Sequence, residues 1–204
     1  MSFTPTKYEL KLTIDFNELT FTGDARIHVD VTDSVKEFDL KISKDLKIER
    51  VSFWQAQHIH RGHPNTMGSN VDFQRENDSV HVTLLSEIDA ESIKEEGYIQ
   101  VEYKGKIGES EEGLHLTGSG FTFEANLTAE TATSLLPILE DIPVNVTLSV
   151  VTPYRAGVET NIPTGEHRSV DENLFSNNFT SGDDKILISD VQLRITAPTA
   201  LILE

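Results

Sequence analysis

Tyr8, Leu10, Leu12, Ile14 and Phe16, followed by Phe21, Gly23, Ala25, Ile27, Val29 and Val31, alternate with polar residues through the opening of the chain. A period of two places such side chains on one face of an extended backbone, whereas a helix would scatter them around its circumference. Two half-buried strands joined by a short turn around Asn17 and Glu18 are therefore expected. The pattern returns at Phe38, Leu40 and Ile42, then at Leu46 and Ile48 followed by Val51 and Phe53. It continues at Val80, Val82 and Leu84, at Ile99, Val101 and Tyr103, and at Phe121 and Phe123. It is cleanest at Val144, Val146, Leu148 and Val150, and ends with Ile186 and Ile188, then Val191, Leu193 and Ile195. Helical spacing is confined to two short pieces, 89–96 and 129–136, and the polar stretch 55–70 reads as a loop. No linker or repeat divides the 204 residues, a length that suits one all-β domain with its own core. The expected fold is a twisted multi-stranded β-sandwich or saddle formed by residues 1–204 as a single domain.

Tyr8, Leu10 and Leu12, with Thr20, Phe21 and Gly23 beyond the turn, resemble the start of the amino-terminal β domain of M1-family zinc aminopeptidases. That domain opens Tyr-x-Leu-x-Leu and passes through a Thr-Phe-x-Gly step. Further matches follow in the family's order: Tyr103, Lys104 and Gly105; Gly113 and Leu114; then Phe123, Glu124 and Ala125, where the family writes Thr-Gln-x-Glu-Ala. Pro153 and Pro163 bracket a segment ending Thr160, Asn161, Ile162, Pro163, similar to the family's Leu-Ser-Asn-Met-Pro loop.

The departures bear on activity. M1 enzymes carry His-Glu-x-x-His on a helix, two imidazoles one turn apart sharing zinc while the Glu acts on its bound water. No His-Glu pair occurs in this sequence, and the family's Gly-x-Met-Glu-Asn substrate loop is missing too. Where the resemblance implies a Gln that helps hold the substrate's amino end, Thr122 stands; Glu124, the other group implied to do so, is retained. The Ala-Arg-x-x-Phe-Pro-Cys-x-Asp-Glu-Pro signature is diluted to 132–143, keeping Pro137, Glu140, Asp141 and Pro143 at altered spacing without Arg or Cys.

A net charge of −17 would repel a phosphate backbone or an anionic membrane, so neither nucleic acid nor membrane is an expected partner. No apolar run approaches the length of a membrane span, and residues 1–7 lack the pattern of a secretory signal, which points to a cytoplasmic address. The absence of cysteine removes disulfides, thiolate metal sites and thiol nucleophiles. Asn77, Asn126, Asn145 and Asn178 each begin an Asn-x-Ser/Thr sequon, but in a chain rich in Ser and Thr such triplets arise by chance. Acidic residues gather at 87–96 and 109–112, where solvated faces and loops are the simpler reading than a basic partner.

His58, His60 and His63 form the one cluster that could converge on a metal ion. With Arg61 among them and no carboxylate fixed nearby, the segment reads better as a polar excursion, and no metal or cofactor is expected. His115, His28 and His81 sit at strand positions. Gly118, Ser119 and Gly120 do not make a nucleophile elbow, nor do Gly105 and Gly108 open a phosphate loop.

Leu135, Leu136, Ile138, Leu139 and Ile142 crowd a non-strand segment, and either tuck under the sandwich or form a patch for a partner. The sequence thus points to a non-catalytic scaffold or adaptor that binds a protein partner, possible self-association included. Thr122, Glu124 and these five aliphatics are its candidate binding residues. The alternative is a fragment or accessory subunit of a zinc aminopeptidase that contributes to recognition of a substrate's amino terminus.

Overall fold

The computed structural model describes residues 3–57, 65–88, 97–108, 113–117, 122–153, 155–171 and 173–197. The expected helix at 89–96 and the cluster His58, His60 and His63 lie outside the described residues. The chain is a β-sandwich, and among the described residues its only helical pieces are two 3-10 turns, Ala132–Ser134 and Ile188–Asp190. The first of these is all that forms of the helix expected at 129–136.

The opening alternation folds as expected. β1 (Phe3–Asp15) and β2 (Thr20–Val31) pair antiparallel from Phe3 opposite Val31 to Asp15 opposite Thr20. In the turn between them Asp15 Oδ1 accepts hydrogen bonds from the backbone N–H groups of Asn17 and Glu18. Leu19 then turns back with φ 49°.

β3 (Val35–Lys41), β4 (Lys47–Gln57), β5 (Asn65–Asn70), β6 (Asp72–Glu76), β7 (Ser79–Ile88) and β8 (Gly97–Lys106) follow as further strands. Next come β9 (His115–Thr117), β10 (Thr122–Asn126), β11 (Asn145–Pro153), β12 (Gly157–Thr160), β13 (Thr164–Asp171), β14 (Leu174–Thr180) and β15 (Gln192–Thr196). An eight-stranded sheet runs β13-β14-β11-β1-β2-β8-β4-β5, a four-stranded sheet β12-β15-β10-β9 and a three-stranded sheet β3-β7-β6. Among the described strands all neighbours are antiparallel except β1 and β11, which run parallel from Lys7 opposite Asn145 to Thr13 opposite Val151. That pairing joins the amino-terminal hairpin to the second half of the chain.

The inward faces of the three sheets share one core. Phe3 of the large sheet meets Phe38 of the three-stranded sheet edge-on, with ring centroids 5.3 Å apart, and Phe16 stacks on Phe123 of the four-stranded sheet at 5.2 Å. Two glycines of the sequence pattern are fixed by the same packing. Phe21 lies opposite Gly105 and Gly23 opposite Tyr103, so that each ring covers its partner's bare Cα. A Cβ on Gly23 would lie 2.1 Å from the Tyr103 ring, and one on Gly105 would lie 2.4 Å from the Phe21 ring.

Some strand expectations need correcting. Much of 55–70 is not loop: β4 extends to Gln57 and pairs with β5 from Gln57 opposite Asn65 to Ser52 opposite Asn70. Backbone pairing at a sheet edge does not require apolar alternation, so the polar sequence gave no signal. Ile186 and Ile188 form no strand either. Ile186 makes a single bridge to Val144, and Ile188 opens a 3-10 turn.

Candidate functional site

The Glu124 site is built on the outward face of the four-stranded sheet. Phe123 and Ala125 point into the core, so Thr122, Glu124 and Asn126 point out. Likewise Leu193 and Ile195 are buried while Gln192, Arg194 and Thr196 face solvent. β15 lies between β10 and β12, and the register sets Arg194 opposite both Glu124 and Glu159. A shallow depression forms around this row and includes Thr160 and Asn161.

Arg194 Nε lies 2.9 Å from Glu124 Oε1, with side-chain exposures of 56% for the arginine and 25% for the glutamate. A guanidinium in this position offers the charge and the N–H donors that a substrate ammonium would otherwise bring. Thr122, half-buried, stands opposite Thr117 and Thr196, and its carbonyl accepts a hydrogen bond from Thr117 Oγ1 at 3.2 Å. Its own hydroxyl cannot replace the reach or the paired donor and acceptor of a Gln amide. His115 lies opposite Glu124 in the register of β9, yet its side chain is buried and its Nδ1 sits 3.2 Å from the Gly113 carbonyl.

The loop after β12 is held against this site by one side chain. Asn161 Nδ2 donates to the Asp190 carbonyl at 2.9 Å, and its Oδ1 accepts the Gln192 N–H at 2.9 Å. Ile162 is buried beneath it. Asn161 therefore sets the approach of β15, and with it the position of Arg194.

Leu135, Leu136, Ile138 and Leu139 do not form an exposed patch. All four are buried, and Ile142 packs half-buried against the same core. The cause is a set of backbone anchors. Ile138 and Lys41 exchange two hydrogen bonds of 2.8 Å, Ser43 N–H donates to the Thr133 carbonyl at 2.9 Å, and Leu139 N–H donates to Tyr8 Oη at 3.1 Å. Asp141 Oδ1 receives the Ser189 N–H at 3.3 Å. Tyr8 is itself fully buried, and burial pushes its hydroxyl pKa up to about 12, tempered by the backbone bonds it makes.

The site missing from the sequence reading is the partner of Glu124. Arg194 carried no signal, because only the β10/β15 register brings the two together. Among the described residues no group of three or more His, Asp or Glu is placed to hold a metal ion. Also among the described residues, no helix is long and apolar enough to cross a membrane.

A β-sandwich of this kind occurs within solved M1 zinc metallopeptidases. The M1 zinc metallopeptidase of Deinococcus radiodurans superposes with a TM-score of 0.73 at 16% identity, over 97% of this chain and 44% of that one. A mutant of that enzyme bound to a Tyr-Ser-Ala substrate gives 0.72 at the same identity and coverage. A mutant described as a two-domain M1 zinc metallopeptidase bound to L-tryptophan gives 0.71, again at 16% identity and the same coverage. The Peptidase M1 N-terminal domain matches residues 4–180, and the chain belongs to that family. It spans less than half the length of these solved relatives. No protein of curated function matches it significantly.

Proposed function

We propose that this chain acts without catalysis, as a protein-interaction module built on an M1 amino-terminal domain. The observation that carries the reading is the Glu124–Arg194 pair: the one amine-recognition group that the family resemblance leaves in place is engaged by a cation of the same chain. Thr122 in the position of the family's Gln, and the sequence without a His-Glu pair, support the same reading. Among the candidate binding residues, Thr122 and Glu124 lie on the outward face of the four-stranded sheet, whereas the aliphatics at 135–142 serve the core.

The test is turnover of aminoacyl-coumarin substrates by the pure protein, with and without zinc. No activity above that of an identically purified Glu124→Ala variant is expected. Chelator-sensitive turnover, restored by zinc and lowered in that variant, would sink the proposal. In the second reading the chain contributes Glu124 to the substrate site of a zinc aminopeptidase, in a longer polypeptide or beside a catalytic partner. The retention of Glu124 and the 44% coverage of the solved enzymes favour it. An intact-mass measurement on the protein isolated from its natural source separates the two, since a much heavier, zinc-bearing species belongs only to the second.

A further inference from the structure

The large sheet ends in β5 at one edge and in β13 at the other, and β13 is hydrogen-bonded to β14 on one side and to no described strand on the other. Gly165, Glu166, Arg168, Ser169, Val170 and Asp171 along it are all exposed. An open row of backbone N–H and C=O groups in such a strand is a template for one more strand. The free side of β3, by contrast, is covered where Lys41 bridges to Ile138. The ladder with β14 is regular from Thr164 to Ser169, and an irregularity before Asp171 ends it.

Edge strands are usually defended by charged side chains, and like charges set directly opposite one another oppose pairing. β13 carries one charge of each sign on one side of the strand: Glu166 and Arg168, ion-paired at 2.8 Å and 66% and 72% exposed. A two-fold axis through residue 167 sets Glu166 of one chain opposite Arg168 of the other, and by symmetry Arg168 opposite Glu166. In the same register Gly165 meets Ser169. Gly165 presents no side chain to obstruct the approach, and the Phe179 ring already covers it from the neighbouring strand. The net charge of −17 opposes association over the rest of the surface, so the stretch of edge where Glu166 and Arg168 cancel is where two copies can meet.

We propose that the chain forms a two-fold dimer by antiparallel pairing of β13 with β13 of a second copy, which joins two eight-stranded sheets into one. This goes beyond the interaction-module reading, since the edge has the same chemistry whether or not a longer protein surrounds it.

Sedimentation velocity over a concentration series tests it with four proteins: wild type, Glu166→Arg, Arg168→Glu, and the exchange Glu166→Arg/Arg168→Glu. A concentration-dependent dimer is expected for wild type. Either single reversal sets like charges opposite each other and should weaken the dimer about tenfold or more, while the exchange should restore it to within about threefold. The exchange variant also controls for folding, because it carries both substitutions. A wild type that stays monomeric, single reversals that leave association unchanged, or an exchange that fails to restore it would each overturn the proposal.

Discussion

Gly23 and Tyr103 occupy one another's space so closely that the smallest enlargement is informative. The ring would have to leave its place to admit a methyl group 2.1 Å away, and it is fully buried among core side chains. Gly23→Ala should cost about 1–3 kcal/mol in denaturant unfolding, the range of an overpacked core. An unchanged midpoint would show that the two strands slide apart freely. At Tyr8 the opposite change applies: Tyr8→Phe keeps the ring and strands the Leu139 N–H, for a loss of about 1–3 kcal/mol. His81 makes a third case, at the surface. Its hydrogen bond to Asp39, 2.9 Å from Nδ1, raises its pKa above the ordinary 6.5, with Glu37 and Glu76 adding to the effect. Because the folded-state pKa is the higher one, the pair's contribution is complete below the unfolded value and fades as pH rises through the folded one. An NMR titration should place the His81 midpoint above 6.5 and move it down in Asp39→Asn; equal midpoints in both proteins would remove the pair as the cause.

Elements were legible in the sequence in proportion to how one-sided their burial is. β1, β2 and β11 each bury one face and leave the other at least partly open, and their alternation shows it. β6, exposed at all five positions, and β13, whose described side chains are all exposed, bury neither face and leave no period to read. They exist because a neighbouring strand offers backbone partners. The segment at 128–143 was ambiguous for a different reason. Its aliphatics announce burial, but what they are buried under depends on Tyr8, Lys41 and Ser43, each ninety or more residues in sequence from the residue it bonds. Glu124 was legible only through the resemblance, and Arg194 not at all, since a cross-strand pair seventy residues apart needs the register to be known. With the segment in the core, Leu136→Asp buries a carboxylate without a partner, and the expected result is insoluble or unfolded protein. A soluble, native-like variant with altered association would return this segment to the list of binding surfaces.

For the whole molecule, the family match and the packed core do not have the same boundary. The match stops at residue 180, but β15 at Gln192–Thr196 is the strand between β10 and β12 in the four-stranded sheet. It supplies Leu193 and Ile195, both buried, and hydrogen-bonds to the strand that carries Phe123 and Ala125. Without it β12 would lose its only neighbour among the described strands, Arg194 would be gone from Glu124, and the inward face of β10 would be open to water on one side. The same tail supplies Ile188 and Val191 to the core, and its Ile186 makes the backbone bridge to Val144 at the start of β11. Each fully buried aliphatic contributes about 1.5–3 kcal/mol, so removing four of them exceeds much of the usual stability of a domain this size. A chain cut after residue 180 should therefore lack a cooperative thermal transition and be digested rapidly by protease, while the 204-residue chain resists. If the shortened chain instead melts cooperatively with its near-ultraviolet circular dichroism intact, the large sheet and the three-stranded sheet form a folding unit by themselves, and β15 belongs to the site more than to the fold.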